Sequence, residues 1–211
     1  EFWTKAGMRL DILEGRKKGK PFNFADAVSG LPLGFRRIVD NEEFKIGNRL
    51  WKVRTGNGHA PEQATLWSKS DQIVLAGDQI ISSISPNLGV YATEPDANPV
   101  KEWIDTCHKL SQFASDDHLT LSGHKLPFKG LKFRVQQMVE NHEHAIERLI
   151  NFLEKPHTAE ECFSVLFGKS IQSSEYGLAL VESVAHVNYL FLEGTVSRVM
   201  DRAGAFRYQR F

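Results

Sequence analysis

The chain has 211 residues, 41% of them apolar, enough to bury a core and to exclude a disordered or collagen-like polymer. Its 26 Lys and Arg balance 26 Asp and Glu, so no global field draws it to nucleic acid or an anionic membrane, and any polyanion site has to be local. The longest apolar runs, such as Ile73 to Ala76, are too short to cross a bilayer, and no charged-then-apolar leader opens the chain. Two cysteines, Cys107 and Cys162, supply neither a disulfide framework nor a thiolate metal site, so a reducing, cytoplasmic setting without a membrane partner is the expectation.

Residues 1–35 carry a basic run (Arg16, Lys17, Lys18, Lys20) and then Pro21, Gly30, Pro32 and Gly34, which predicts a short helix followed by a long loop. Short alternating apolar runs then predict strands at 36–40, 44–46, 49–55, 64–68 and 72–76. Val100, Trp103, Ile104, Cys107, Leu110 and Phe113 recur at steps of three or four, the signature of an amphipathic helix over 98–113. A strand at 119–121 follows, then a long helix over 130–153 that Pro156 ends.

Residues 156–211 read as a separate small module. A capping box, Thr158-Ala159-Glu160-Glu161, opens a helix through Phe167, and a second helix over 174–192 stops at Gly194. Two alternating runs flank Asp201-Arg202-Ala203-Gly204 as a hairpin, and helix, helix, hairpin is the order of a partial winged helix. The expected organisation is α/β, divided into a helix and linker at 1–35, a sheet-containing part at 36–155 and the module at 156–211.

Three metal-competent side chains share one kind of setting. His59 follows Gly56-Asn57-Gly58, Asp78 follows Ala76-Gly77, and His124 follows Ser122-Gly123, each shortly after a predicted strand. A glycine there lets the chain turn sharply and leaves room for an ion, while the strand fixes where the ligand starts. Two imidazoles and a carboxylate suit zinc, manganese or iron. A lone loop histidine is more often a surface residue, and it is the joint pattern that counts. His142-Glu143-His144 lies on the long helix, where residues two apart point about 200° apart, so His142 is expected in the core and His144 in solvent. His108 and His118 are expected on the surface, His186 as a satisfied core histidine, and Trp3, Trp51, Trp67 and Trp103 as packing residues.

The order Gly56-Asn57-Gly58-His59-Ala60-Pro61-Glu62, then Leu75-Ala76-Gly77-Asp78, then Ser122-Gly123-His124 resembles the metallo-β-lactamase-fold hydrolases. The segments Ile84-Ser85-Pro86-Asn87 and Glu94-Pro95-Asp96 resemble a loop that borders the active site in bacterial members. The resemblance covers residues 36 to 155 well and implies the second half of an αβ/βα sandwich, followed by a winged-helix-like tail. It implies that His59, Asp78 and His124 bind a pair of metal ions, usually zinc, with Asp78 bridging, and that a metal-bound hydroxide attacks an ester, thioester or similar small substrate. Lactone, phosphodiester and β-lactam substrates stay open, and no separate catalytic residue is singled out.

The family signature His-x-His-x-Asp-His is absent from all 211 residues. The sequence therefore reads as the C-terminal part of a longer hydrolase, inactive by itself, whose sheet needs the first half of the fold or a second copy to cover it. A rival reading makes the tail a nucleic-acid binder through Arg198, Arg202, Arg207 and Arg210, interleaved with Phe206 and Tyr208. The helix over 174–192 has no Lys or Arg to read a groove, which disfavours it. A metal-free interaction domain with incidental histidines is the remaining alternative.

Overall fold

A computed structural model of the protein describes residues 1–20, 23–30, 32–168 and 170–211; Pro21, one of the predicted loop markers, lies outside them. The N-terminal stretch forms two helices rather than one, α1 (Phe2–Lys5) and α2 (Leu10–Lys18). Ala6, Met8 and Leu13 are buried in the same core as Tyr176, Val184 and Tyr208. That docking supplies the stability that the weakly patterned sequence there lacks.

The alternating runs become strands β1 (Glu43–Ile46), β2 (Arg49–Gly56), β3 (Gln63–Ser68), β4 (Ile73–Gly77) and β5 (Leu119–Ser122). They pair in that order, antiparallel from β1 to β4 and parallel between β4 and β5. A parallel pair needs a crossover, supplied here by residues 78–98 and helix α3 (Pro99–Ser111). Asn98 caps α3 by accepting the Lys101 N–H, and Val100, Trp103, Cys107 and Leu110 are fully buried, as the three-four spacing predicts.

The strand predicted at 36–40 does not form. Asn41 turns the chain at φ 67°, and the Asp40 carboxylate, not its backbone, accepts the Thr55 N–H at 2.7 Å. Side-chain bonding there replaces the ladder.

Residues paired across a sheet share a face. Trp67, Val74 and Thr120 are paired neighbours, and with Ala76 they are buried on one face. Leu66, Leu75 and Leu121 line up on the opposite face beside Ile73 and Leu119. There Leu119 and Leu121 remain 37% and 36% exposed. The sheet is thus apolar on both faces.

Helix α4 (Leu131–Phe152) buries Leu131, Val135, Met138, His142, Ile146 and Leu149 along the expected stripe. The capping box forms, with Thr158 N–H on Glu161 Oε2 at 2.8 Å and Glu161 N–H on Thr158 Oγ1 at 3.3 Å. It opens a 3-10 turn, Glu160–Cys162, before the short α5 (Phe163–Phe167). Helix α6 (Tyr176–Leu192) and the hairpin β6 (Val196–Met200) and β7 (Phe206–Arg210) complete the chain. Cys107 and Cys162 are buried free thiols, both pushed up by desolvation. Among the described residues, no helix is long and apolar enough to cross a membrane.

Candidate metal centre

Strands β2, β4 and β5 run in one direction and β3 runs against them, so the loops after Gly56, Gly77 and Ser122 leave the same edge of the sheet. Those loops carry His59, Asp78 and His124. The structure brings all three together: His59 Nε2 lies 3.8 Å and His124 Nε2 3.4 Å from the same oxygen, Asp78 Oδ2.

Glycines make this approach possible. Gly58 sits at φ +98° against the start of α3, where a β-carbon would stand 2.3 Å from Trp103 Cβ. Gly123 N–H donates to Gly77 O at 2.8 Å, tying the two ligand-bearing loops together. The segment after Asp78 is held from three sides. Trp103 Nε1 donates to Gln79 O at 3.2 Å, Ser122 Oγ to Ile80 O at 2.7 Å, and buried Arg134 to the carbonyls of Ile81 and Ile84 at 2.8 and 3.0 Å. Burial lowers the Arg134 guanidinium from its ordinary value.

His59 Nδ1 lies 2.9 Å from the Asn87 carbonyl, which can only accept, so Nδ1 carries the hydrogen. In the neutral ring Nε2 then presents a lone pair toward a carboxylate. Asp78 Oδ1 is buried with no hydrogen-bond partner, and Oδ2 faces two imidazole nitrogens beyond the usual hydrogen-bond distance of about 2.9 Å. The His124–Asp78 pair has the spacing a shared cation would need, since two ligands about 2.1 Å from one ion at a tetrahedral angle lie about 3.4 Å apart, and the His59–Asp78 pair at 3.8 Å is wider. The fit is partial. Among the described residues, no three His, Cys, Asp or Glu side chains complete a metal-holding group.

Several supporting residues escape sequence reasoning. Arg134 and Gln79 look like ordinary polar positions, and Glu182 reads only as one acid of α6. A signal did exist for Glu182, which is the sole Asp, Glu, Lys or Arg in the segment Tyr176–Leu192. Asn87 Nδ2 donates to Glu182 Oε2 at 2.7 Å and to Leu178 O at 3.3 Å.

Among the remaining histidines, His142 is buried and stacks on His186 at 5.6 Å, while His144 and His108 are exposed. His186 directs Nδ1 to the Glu182 carbonyl at 2.8 Å. His118 is half-buried rather than a surface residue, set edge-on to Trp67 at 5.4 Å. A cavity of about 690 Å³ opens between α4, α6 and the loop after Asp78, with Ser85, His142, Arg148, Phe167, Glu182 and His186 in its wall.

The sequence profile of the family "Metallo-beta-lactamase-like, C-terminal domain" matches residues 146–211. Superposition over 99% of this chain relates it to a β-lactamase domain protein from Burkholderia ambifaria, at TM-score 0.91 and 30% identity, covering 60% of that protein. A metallo-β-lactamase family protein from Thermus thermophilus shares the fold at TM-score 0.73 and 24% identity, with 67% of it covered. Residues 146–211 thus match the C-terminal domain of metallo-β-lactamase-like proteins, and the chain as a whole has the metallo-β-lactamase fold, corresponding to its C-terminal part.

Proposed function

We propose that the chain carries part of a metal-dependent hydrolase site in which His59, Asp78 and His124 hold cations, with zinc preferred and iron or manganese admissible to the same N/O donors. The observation that carries this reading is the convergence of two imidazole nitrogens on one carboxylate whose other oxygen is buried and unpartnered. When bound, a cation of this kind lowers the pKa of a water from 15.7 to about 7 and polarises the scissile group. The chain's own part is positional: Arg134, Ser122 and Trp103 hold the loop after Asp78, and Asn87 orients His59.

The substrate class proposed is an ester, thioester or similar small molecule. The cavity beside the loop after Asp78 is of a size that suits a small ligand, but His59, Asp78 and His124 are not in its wall, so the substrate class rests on the family resemblance. The chain spans 60% of the length of the Burkholderia protein, so the reaction is proposed for the whole fold. Three donors are the minimum for a catalytic metal, and by themselves these 211 residues are expected to bind metal weakly and turn over little substrate. The open row of Leu66, Leu75 and Leu121 supports packing against the first half of the sandwich, with a second copy as the alternative.

Calorimetric titration with Zn2+ tests the site. Weak uptake by the wild-type chain that disappears in Asp78→Ala is the expected result, and equal uptake by both would remove the reading. Tight binding together with hydrolysis by the 211 residues alone would show instead that no further donors are needed.

A further inference from the structure

We infer that Glu182 is a positioning residue for His59, acting from α6 through Asn87 to set which nitrogen of that imidazole carries the proton. The inference deepens the proposed function and rests on His59 being a ligand there. Both neighbours of the Asn87 amide, the Glu182 carboxyl and the Leu178 carbonyl, accept hydrogen bonds, so its nitrogen has to face them. With the side chain so anchored, the Asn87 backbone carbonyl stands 2.9 Å from His59 Nδ1.

The same loop is strapped to α6 at two further points. Val90 N–H donates to Val181 O at 3.0 Å, and Asn188 Nδ2 donates to Pro95 O at 2.9 Å. Helix α6 lies inside the segment that matches the C-terminal family, whereas His59 hangs from β2. Of these straps from the C-terminal part, only those to Asn87 fall on the residue whose carbonyl faces His59.

The chemistry requires this connection. Only the Nδ1–H tautomer offers the Nε2 lone pair toward Asp78 and a cation. Removing the Glu182 acceptor leaves one of the two amide N–H groups unmatched and the side chain held only by the longer bond to Leu178 O, which loosens Asn87 and lets its carbonyl drift from His59.

Long-range proton–nitrogen NMR on protein labelled with 15N-histidine reads the tautomer directly, without metal or turnover, at a pH of about 8 where histidine is ordinarily neutral. The His59 signal is assigned by its loss in His59→Gln. The wild type should show the Nδ1–H form, and Glu182→Gln should keep it because the amide oxygen still accepts. Glu182→Leu and Asn87→Ala should both give a tautomer mixture, with Zn2+ affinity about 10- to 100-fold lower. A His59 spectrum in Glu182→Leu and Asn87→Ala identical to wild type overturns the inference, whatever the Zn2+ affinity does. Should Glu182→Leu fail to fold, Asn87→Ala, in a half-buried loop, decides alone. A wild-type chain that takes up no Zn2+ defeats the proposed function but leaves the tautomer result to judge Glu182.

Discussion

Gly123 stands so close to Asp78 that a β-carbon on it would lie 2.5 Å from Asp78 Oδ1. The carboxylate fills the space a side chain would occupy, and the glycine serves to admit it rather than to relieve a left-handed backbone. Gly123→Ala should swing the carboxylate out and pull Oδ2 away from both imidazoles. We expect Zn2+ affinity to fall about 10- to 100-fold in calorimetry with little change in the thermal midpoint. Undiminished affinity would mean that Asp78 is not held where an ion needs it.

Three titratable groups on α4 and α6, the buried His142 and His186 and the half-buried Glu182, give the fold opposing pH dependences. Burial pushes the Glu182 carboxyl up to about 7, against the lowering pull of Asn87. Burial, aided by His186, pushes His142 down to about 3, and burial lowers His186 itself against the bond to the Glu182 carbonyl. The signs follow from proton uptake. Glu182 stays protonated in the fold up to about pH 7, so its contribution is present below the unfolded value and is lost as pH rises from about 4.5 to 7. The histidines stay neutral in the fold, so theirs is present above about 6.5 and is lost as pH falls below it. Two protons outweigh one between about pH 6.5 and 4.5, and each unbalanced proton is worth about 1.4 kcal/mol per pH unit. Denaturant unfolding across that window should show stability falling with acid, more steeply in Glu182→Gln and more gently in His142→Leu. A His142→Leu slope equal to wild type would contradict this account.

Three of the four arginines of the tail, Arg198, Arg207 and Arg210, are already engaged, and Arg202 is exposed. Arg198 lies 4.1 Å from the Phe191 ring centre and 4.6 Å from that of Phe206, with Asp96 3.5 Å away. Arg207 pairs with Asp201 and Glu161 at 2.9 and 3.2 Å, and Arg210 with Glu154 at 2.7 Å. Phosphate binding would have to break these contacts. Fluorescence anisotropy with labelled duplex or single-stranded DNA should therefore show no salt-dependent association. A steep salt slope, the mark of several phosphates neutralised at once, would restore the nucleic-acid reading.

Much of the framework is legible in local pattern. The alternation of Trp51 and Val53, or of Val74 and Ala76, announces strands, and the spacing of Trp103, Cys107 and Leu110 announces the buried stripe of α3. Alternation fails at 36–40, where Asp40 and Asn41 divert the backbone with side-chain bonds and a positive φ that apolar periodicity cannot register. It also misses the split of the N-terminal stretch into two helices, since their order comes from docking on α6: Tyr176 Oη accepts the Arg9 N–H at 3.2 Å.

The identities of His59, Asp78 and His124 and their strand-then-glycine settings belong to the sequence, because turn chemistry and donor type are local properties. Their meeting belongs to the tertiary structure. It depends on β2, β4 and β5 pointing the same way, and strand direction is decided by the crossover through α3 and by burial of Trp67 and Val74 beneath the helices. The link from Glu182 through Asn87 to His59 is likewise a tertiary product: it joins residues remote in the chain through hydrogen bonds that exist only once the loop after Asp78 lies against α6.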